Sequence, residues 1–77
     1  MAPTNKTRVL VVDDSFFMRK VIVSILQADT AIEVVEQAID GSQALEMIER
    51  LRPDVVTLDL VMPGLDGLAT LQRIIRG

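Results

Sequence analysis

The chain contains no cysteine, no histidine, no tryptophan and no tyrosine. Disulfides, thiolate zinc sites, Cys/His nucleophile pairs and a histidine base are therefore all excluded. Long apolar runs are missing too: no segment approaches the ~20 residues that a membrane span requires. The leading stretch Met1-Ala-Pro-Thr-Asn-Lys-Thr-Arg8 is polar and lacks the apolar core of a signal peptide. Cations are in the minority, with 8 Lys and Arg against 11 Asp and Glu and a net charge of -3. That balance argues against nucleic acid or an anionic membrane as the main partner. The expectation is a cytoplasmic protein of one small domain, since 77 residues leave room for no more. Chains near this size bury only ~60% of the surface they expose when unfolded, so the stability margin is thin.

What the chain does have is aliphatic, with 49% of its residues hydrophobic. Residues 1–7 read as a disordered lead-in. Residues 8–13 carry four consecutive β-favouring aliphatics, Val9-Leu10-Val11-Val12, ending in acid, which reads as a strand buried on both faces. Asp14 and Ser15 can both cap a following helix. In that helix Met18, Val21, Ile22, Ile25 and Leu26 form a one-sided stripe, Phe17 flanks it and Phe16 projects to the other side. Residues 32–38 form a second strand, polar enough through its two glutamates to suit a sheet edge. Asp40 with Gln43 resembles a capping box and opens a second helix that runs to about Arg52, with Ala44, Leu45, Ile48 and Leu51 inward, and Pro53 stops it. A third strand spans 54–59. A loop with Pro63 and Gly64 follows, Asp66 caps, and a third helix from near Gly67 buries Leu68, Leu71, Ile74 and Ile75.

The order β-α-β-α-β-α predicts an α/β fold, a parallel sheet with helices on its faces. Right-handed crossovers and an edge position for the polar strand give the spatial order 2-1-3. The gap between strands one and three is then a topological switch point, where open α/β sheets bind ligands beyond the strands' C-terminal ends. Asp13, Asp14 and Asp59 all fall there. Neighbouring strands lie ~4.8 Å apart, so the carboxylates can converge on one ion. Brought together they repel one another, and a divalent cation relieves the repulsion. Magnesium suits an all-oxygen set with few protein donors, and no thiol or imidazole exists to favour a softer metal. Strand-end aspartates are often only helix caps, and Asp14 taken alone reads as one. Asp59 precedes a loop, so capping does not account for it.

These segments resemble the response-regulator receiver domain of two-component signalling over residues 7–77. Val9-Leu10-Val11-Val12-Asp13-Asp14-Ser15 matches its acidic-pair motif. Asp59-Leu60-Val61-Met62-Pro63-Gly64-Leu65-Asp66-Gly67 matches its phosphoacceptor and the loop after it. Asp14-Ser15-Phe16-Phe17-Met18-Arg19 and Thr57-Leu58-Asp59 are most similar to the N-terminal receiver of chemotaxis protein-glutamate methylesterases. The resemblance implies a flavodoxin-like fold and a phosphorelay role in which Asp59 takes a phosphoryl group from a histidine kinase. Asp14, Asp59 and the backbone carbonyl of Val61 would hold Mg2+, with Asp13 acting through a water, and Met62-Pro63 would aim the Val61 carbonyl.

The chain departs from the family at two places. Val61 stands where many members carry a polar side chain that tunes phosphoryl loss. The family's sheet has five strands in order 2-1-3-4-5, and three are recognisable here, so the chain reads as truncated after the third helix. The strand-four hydroxyl, strand-five lysine and aromatic switch residue have no counterpart. Lys6 and Lys20 are the only lysines, and neither they nor Thr57 or Thr70 stand at a matching place. A receiver would catalyse only its own phosphorylation, and no methylesterase domain is recognisable. The alternative is a metal-binding interaction module, an inactive receiver fragment without productive phosphotransfer. An aspartate phosphatase of the haloacid-dehalogenase type is disfavoured, because Val61 occupies the place of its second acid. A nucleotide site is disfavoured because no Gly-rich loop follows strand one. Strand three presents an aliphatic edge without lysine or proline, and helix one a bare flank, which together predict a homodimer through either surface, an aggregate or a partly molten monomer in place of a well-packed monomer.

Overall fold

The computed structural model describes residues 5–59 together with 72, 73 and 75. Five elements run in the order β1 (Thr7–Val12), α1 (Phe16–Gln27), β2 (Ile32–Ala38), α2 (Gly41–Leu51) and β3 (Val55–Leu58). The strands pair parallel in the order β2-β1-β3, which places the polar strand at an edge and the aliphatic one in the middle. This is the incomplete flavodoxin-like sheet, order 2-1-3, that the sequence implied. β1 opens at Thr7, one residue before the expected strand and inside the stretch read as a disordered lead-in, because the Thr7 N–H donates to the Ala31 carbonyl at 2.8 Å.

Side-chain parity divides the core. Leu10 and Val12 face α2 and form a cluster with Ala38 and Ala44, against which Met47, Ile48, Val56 and Leu58 pack. Val9 and Val11 point to the opposite face and are also buried, as a central parallel strand requires. Between Val9 and Leu10 the β1–β2 register slips by one, so Val35 is an extra residue in β2. The bulge sits on the edge strand, where extra residues are tolerated, and it sharpens the local twist.

Caps fix the helix boundaries. Asp40 accepts from the Gln43 N–H at 2.8 Å, and the Gln43 side-chain oxygen accepts from the Ile39 N–H at 3.1 Å. This is the anticipated capping box with its return bond one residue earlier. α2 ends at Leu51, Arg52 turns into the left-handed region at φ 51°, and Pro53 follows. The Arg8 guanidinium closes that end by donating to the Leu51 and Arg52 carbonyls at 2.8 and 3.0 Å. The Asp54 carboxylate accepts from the Arg8 N–H at 2.8 Å, so the N-terminal ends of β1 and β3 are tied to the end of α2.

Two apolar assignments need correction. The half-buried residues of α1 are Arg19, Val21, Ile22, Val23 and Leu26, while Met18 and Ile25 are 42% and 67% exposed. The apolar stripe is wider than the strip of helix the sheet covers, so the helix rests on one side of it. Ile75 is helical but 74% exposed, because no described element packs over it. Leu68, Leu71, Ile74, Asp66 and the start of the third helix lie outside the described residues.

Candidate acidic site

The register of the sheet builds the site. Val12 pairs with Leu58, so the next residues of the two strands are Asp13 and Asp59. The Asp59 N–H donates to the Val12 carbonyl at 3.1 Å, and the Asp13 N–H to the Ala38 carbonyl at 3.0 Å, which extends the ladder one residue past β1 on both sides. Parity then points Asp13 and Asp59 to the same face, the one opposite the Leu10–Val12–Ala44 cluster, where α1 begins. One carboxylate oxygen from each of Asp13, Asp14 and Asp59 lies within 4.8 Å of the others. The three residues differ in exposure: Asp13 is 7% exposed, Asp59 half-buried and Asp14 exposed.

The start of α1 holds this corner in place. The Asp13 carboxylate accepts from the Ser15 N–H at 2.9 Å. Ser15 is the N-cap, its hydroxyl accepting from the Met18 N–H at 3.2 Å. The positive end of the α1 dipole therefore lies beside the carboxylates and favours their charge. One turn further on, Arg19 donates from its guanidinium to the Asp13 carbonyl at 2.8 Å. The same guanidinium lies 5.8 Å from the centre of the Phe16 ring, and Lys20 Nζ lies 5.9 Å from it.

The carboxylates open into a cleft of ≈ 420 Å³ walled on one side by Met18 and Ile22 of α1. Thr57, two residues before Asp59 and on the same face, also lines it. Its hydroxyl oxygen is buried and has no hydrogen-bond partner among the described residues.

The donor set fits a hard divalent cation. It is all oxygen, and the exposed Asp14 leaves one side open to water. Two oxygens on opposite sides of one magnesium lie ~4.2 Å apart. The three carboxylate oxygens, all within 4.8 Å of one another, span a comparable distance. Of the sequence-derived site residues, Asp13, Asp14 and Asp59 are brought together, and Val61 lies outside the described residues.

Comparison with known proteins places the chain in a family. The family model for the response regulator receiver domain matches residues 9–77. The chain belongs to that family. It is 59% identical over 71 residues to a protein-glutamate methylesterase/protein-glutamine glutaminase of Koribacter versatilis, covering 92% of this chain and 20% of that protein. The response regulator domain of Thermotoga maritima CheB superposes with a TM-score of 0.89 at 45% identity, over 92% of this chain and 53% of that one. The CheX-CheY-BeF3-Mg2+ complex of Borrelia burgdorferi gives 0.82 at 34% identity, over 90% of this chain and 52% of the matched one. The chain thus spans about half of these solved chains and a fifth of the curated relative. The acidic pair and the strand-three aspartate carry the family resemblance in the sequence. Arg19 was not singled out, although it stands one helical turn after the cap Ser15 and so on the same side of α1.

Proposed function

We propose that the chain is a phosphoacceptor domain of a two-component phosphorelay, with Asp59 as acceptor. The reading is carried by one observation: three carboxylates from two neighbouring parallel strands meet at the C-terminal edge of the sheet in a chain of the receiver family. A histidine kinase supplies the phosphoryl group. An Asp59 carboxylate oxygen attacks phosphorus, the phosphorus–nitrogen bond of the phosphohistidine breaks, and the imidazole leaves and takes up a proton. The product is an aspartyl phosphate.

Asp14 and Asp59, with the Val61 carbonyl and with Asp13 through water, would hold Mg2+, which when bound offsets charge on the transferring oxygens. The protein's own part is placement. The Ser15 N–H fixes Asp13, the β3 register fixes Asp59 opposite it, and the exposed Asp14 is free to meet an ion from solvent. The magnesium present in the Borrelia complex supports the choice of metal. Likeness to chemotaxis methylesterases supports a chemotaxis-type kinase, and the hydrolase activity of those longer proteins is not assigned to this chain. We further propose that the chain associates with itself through the edge of β3, which ends the sheet among the described residues, or the exposed flank of α1. Phosphotransfer from an autophosphorylated chemotaxis-type histidine kinase tests the main reading. Label should leave the kinase in the presence of the wild-type chain and Mg2+ and stay on it with Asp59→Asn. Equal loss with both proteins would refute the assignment.

A further inference from the structure

We propose that the Arg19 guanidinium is a built-in counter-charge for the Asp13/Asp14/Asp59 cluster, holding the carboxylates together when no cation is bound and weakening cation binding by the same interaction. The proposal rests on the reading that this cluster holds Mg2+, and Arg19 is a positioning residue in it.

Three observations carry it. First, the guanidinium is fixed, not free: it donates to the Asp13 carbonyl at 2.8 Å in a part-buried bond. It is therefore anchored on the residue with the most buried of the three carboxylates, at 7% exposure. Second, the bond uses one of the five N–H donors that an arginine carries, so the charge is committed to the neighbourhood without being spent on a single carboxylate. Third, Phe16, which is 68% exposed and makes no contribution to the core, has its ring 5.8 Å from that guanidinium. A ring at this distance attracts the cation and shields part of it from water, which strengthens its field toward the cluster. Phe16 thereby has a role that apolar packing does not give it.

The consequences have opposite signs. Without metal, three carboxylates within 4.8 Å repel, and a positive charge anchored on the Asp13 carbonyl offsets that repulsion and stabilises the fold. With metal, the same charge repels the incoming cation. A residue that only braced the helix would do the reverse, since its loss would loosen the ligands and weaken binding.

Calorimetric titration with MgCl2 at low ionic strength, on wild type, Arg19→Lys and Arg19→Gln, separates the two. Arg19→Gln should bind Mg2+ ~3–10-fold more tightly than wild type, the size expected of a part-exposed charge interaction, and Arg19→Lys should stay close to wild type. Urea unfolding should show Arg19→Gln destabilised in EDTA, with the gap narrowing at saturating Mg2+ as the tighter site gains more from binding. Equal or weaker Mg2+ binding by Arg19→Gln, or identical behaviour of Arg19→Lys and Arg19→Gln, overturns the proposal. A metal-free arm tests the counter-charge half of the proposal separately from the magnesium reading. In EDTA, removing Arg19 should cost less stability in an Asp14→Asn background than in wild type. Equal costs in both backgrounds refute the counter-charge. Absence of any Mg2+ binding by wild type refutes the magnesium reading alone and leaves this arm to decide.

Discussion

At the scale of single residues, the chemistry lies in where carboxylates end up and was largely legible in the sequence. Two aliphatic runs each finishing in aspartate are enough to place Asp13 and Asp59 at one end of a parallel sheet, because parallel register carries both to the same edge. What could not be read was the bracing. The hydrogen bond from Arg19 to the Asp13 carbonyl depends on the angle at which α1 leaves the strand, and no motif encodes that angle. The cleft makes two predictions at this scale. Mg2+ binding should be centred on Asp14 and Asp59, so amide shifts on titration should cluster at 13–15 and 59, and Asp59→Asn and Asp14→Ala should each abolish or greatly weaken it. Binding unchanged in both variants would remove the site. Among the described residues no lysine lines the cleft, as Lys6 precedes β1 and Lys20 points to Phe16. A donor missing from such a site typically costs ~10²–10³ in rate. Phosphorylation of Asp59 by acetyl phosphate should accordingly be slower by that factor than in the Thermotoga maritima CheB receiver, measured side by side. Equal rates would show that another group balances the phosphoryl charge.

At the scale of elements, caps and parity were legible, and helix rotation was not. Asp40, Gln43 and Pro53 announce the ends of α2 because each acts through a bond to its own neighbourhood. The facing arc of α1 is set by what lies on the sheet beneath it, so the apolar stripe alone misplaced Met18 and Ile25. The slip at Val35 was equally hidden, since a bulge on a half-polar edge strand leaves no break in the alternation. Asp40→Ala should destabilise the fold by ~0.5–2 kcal/mol through loss of the α2 cap, with little change at the acidic site. Leu10→Ala should cost ~2–5 kcal/mol, because Leu10 is fully buried at the centre of the α2-facing cluster. Small domains hold only ~5 kcal/mol at the lower end, so circular dichroism should find Leu10→Ala mostly unfolded. A cooperative melt close to wild type would mean that the cluster carries less of the stability than its burial indicates.

At the scale of the whole molecule, the sheet order 2-1-3 followed from chain handedness and strand polarity, and the family likeness places it within a larger frame. β3 stands at the end of the described sheet, and Val55 beside that edge is 45% exposed. α1 has no fully buried residue and exposes Phe17 at 71%. Edges and faces of this kind favour association, so light scattering should find a dimer or larger species and not a monodisperse 8.5 kDa monomer. Strong amide protection on Val55–Leu58 in a monomer would show the three-stranded half to be self-sufficient. Beneath all of this stands the claim that the switch-point carboxylates form a phosphoacceptor. Its most direct measurement is peptide-resolved mass spectrometry after incubation with acetyl phosphate, with and without Mg2+. The account predicts label on Asp59 alone, present with Mg2+ and absent with EDTA, and label on any other residue or equal label without the metal would contradict it.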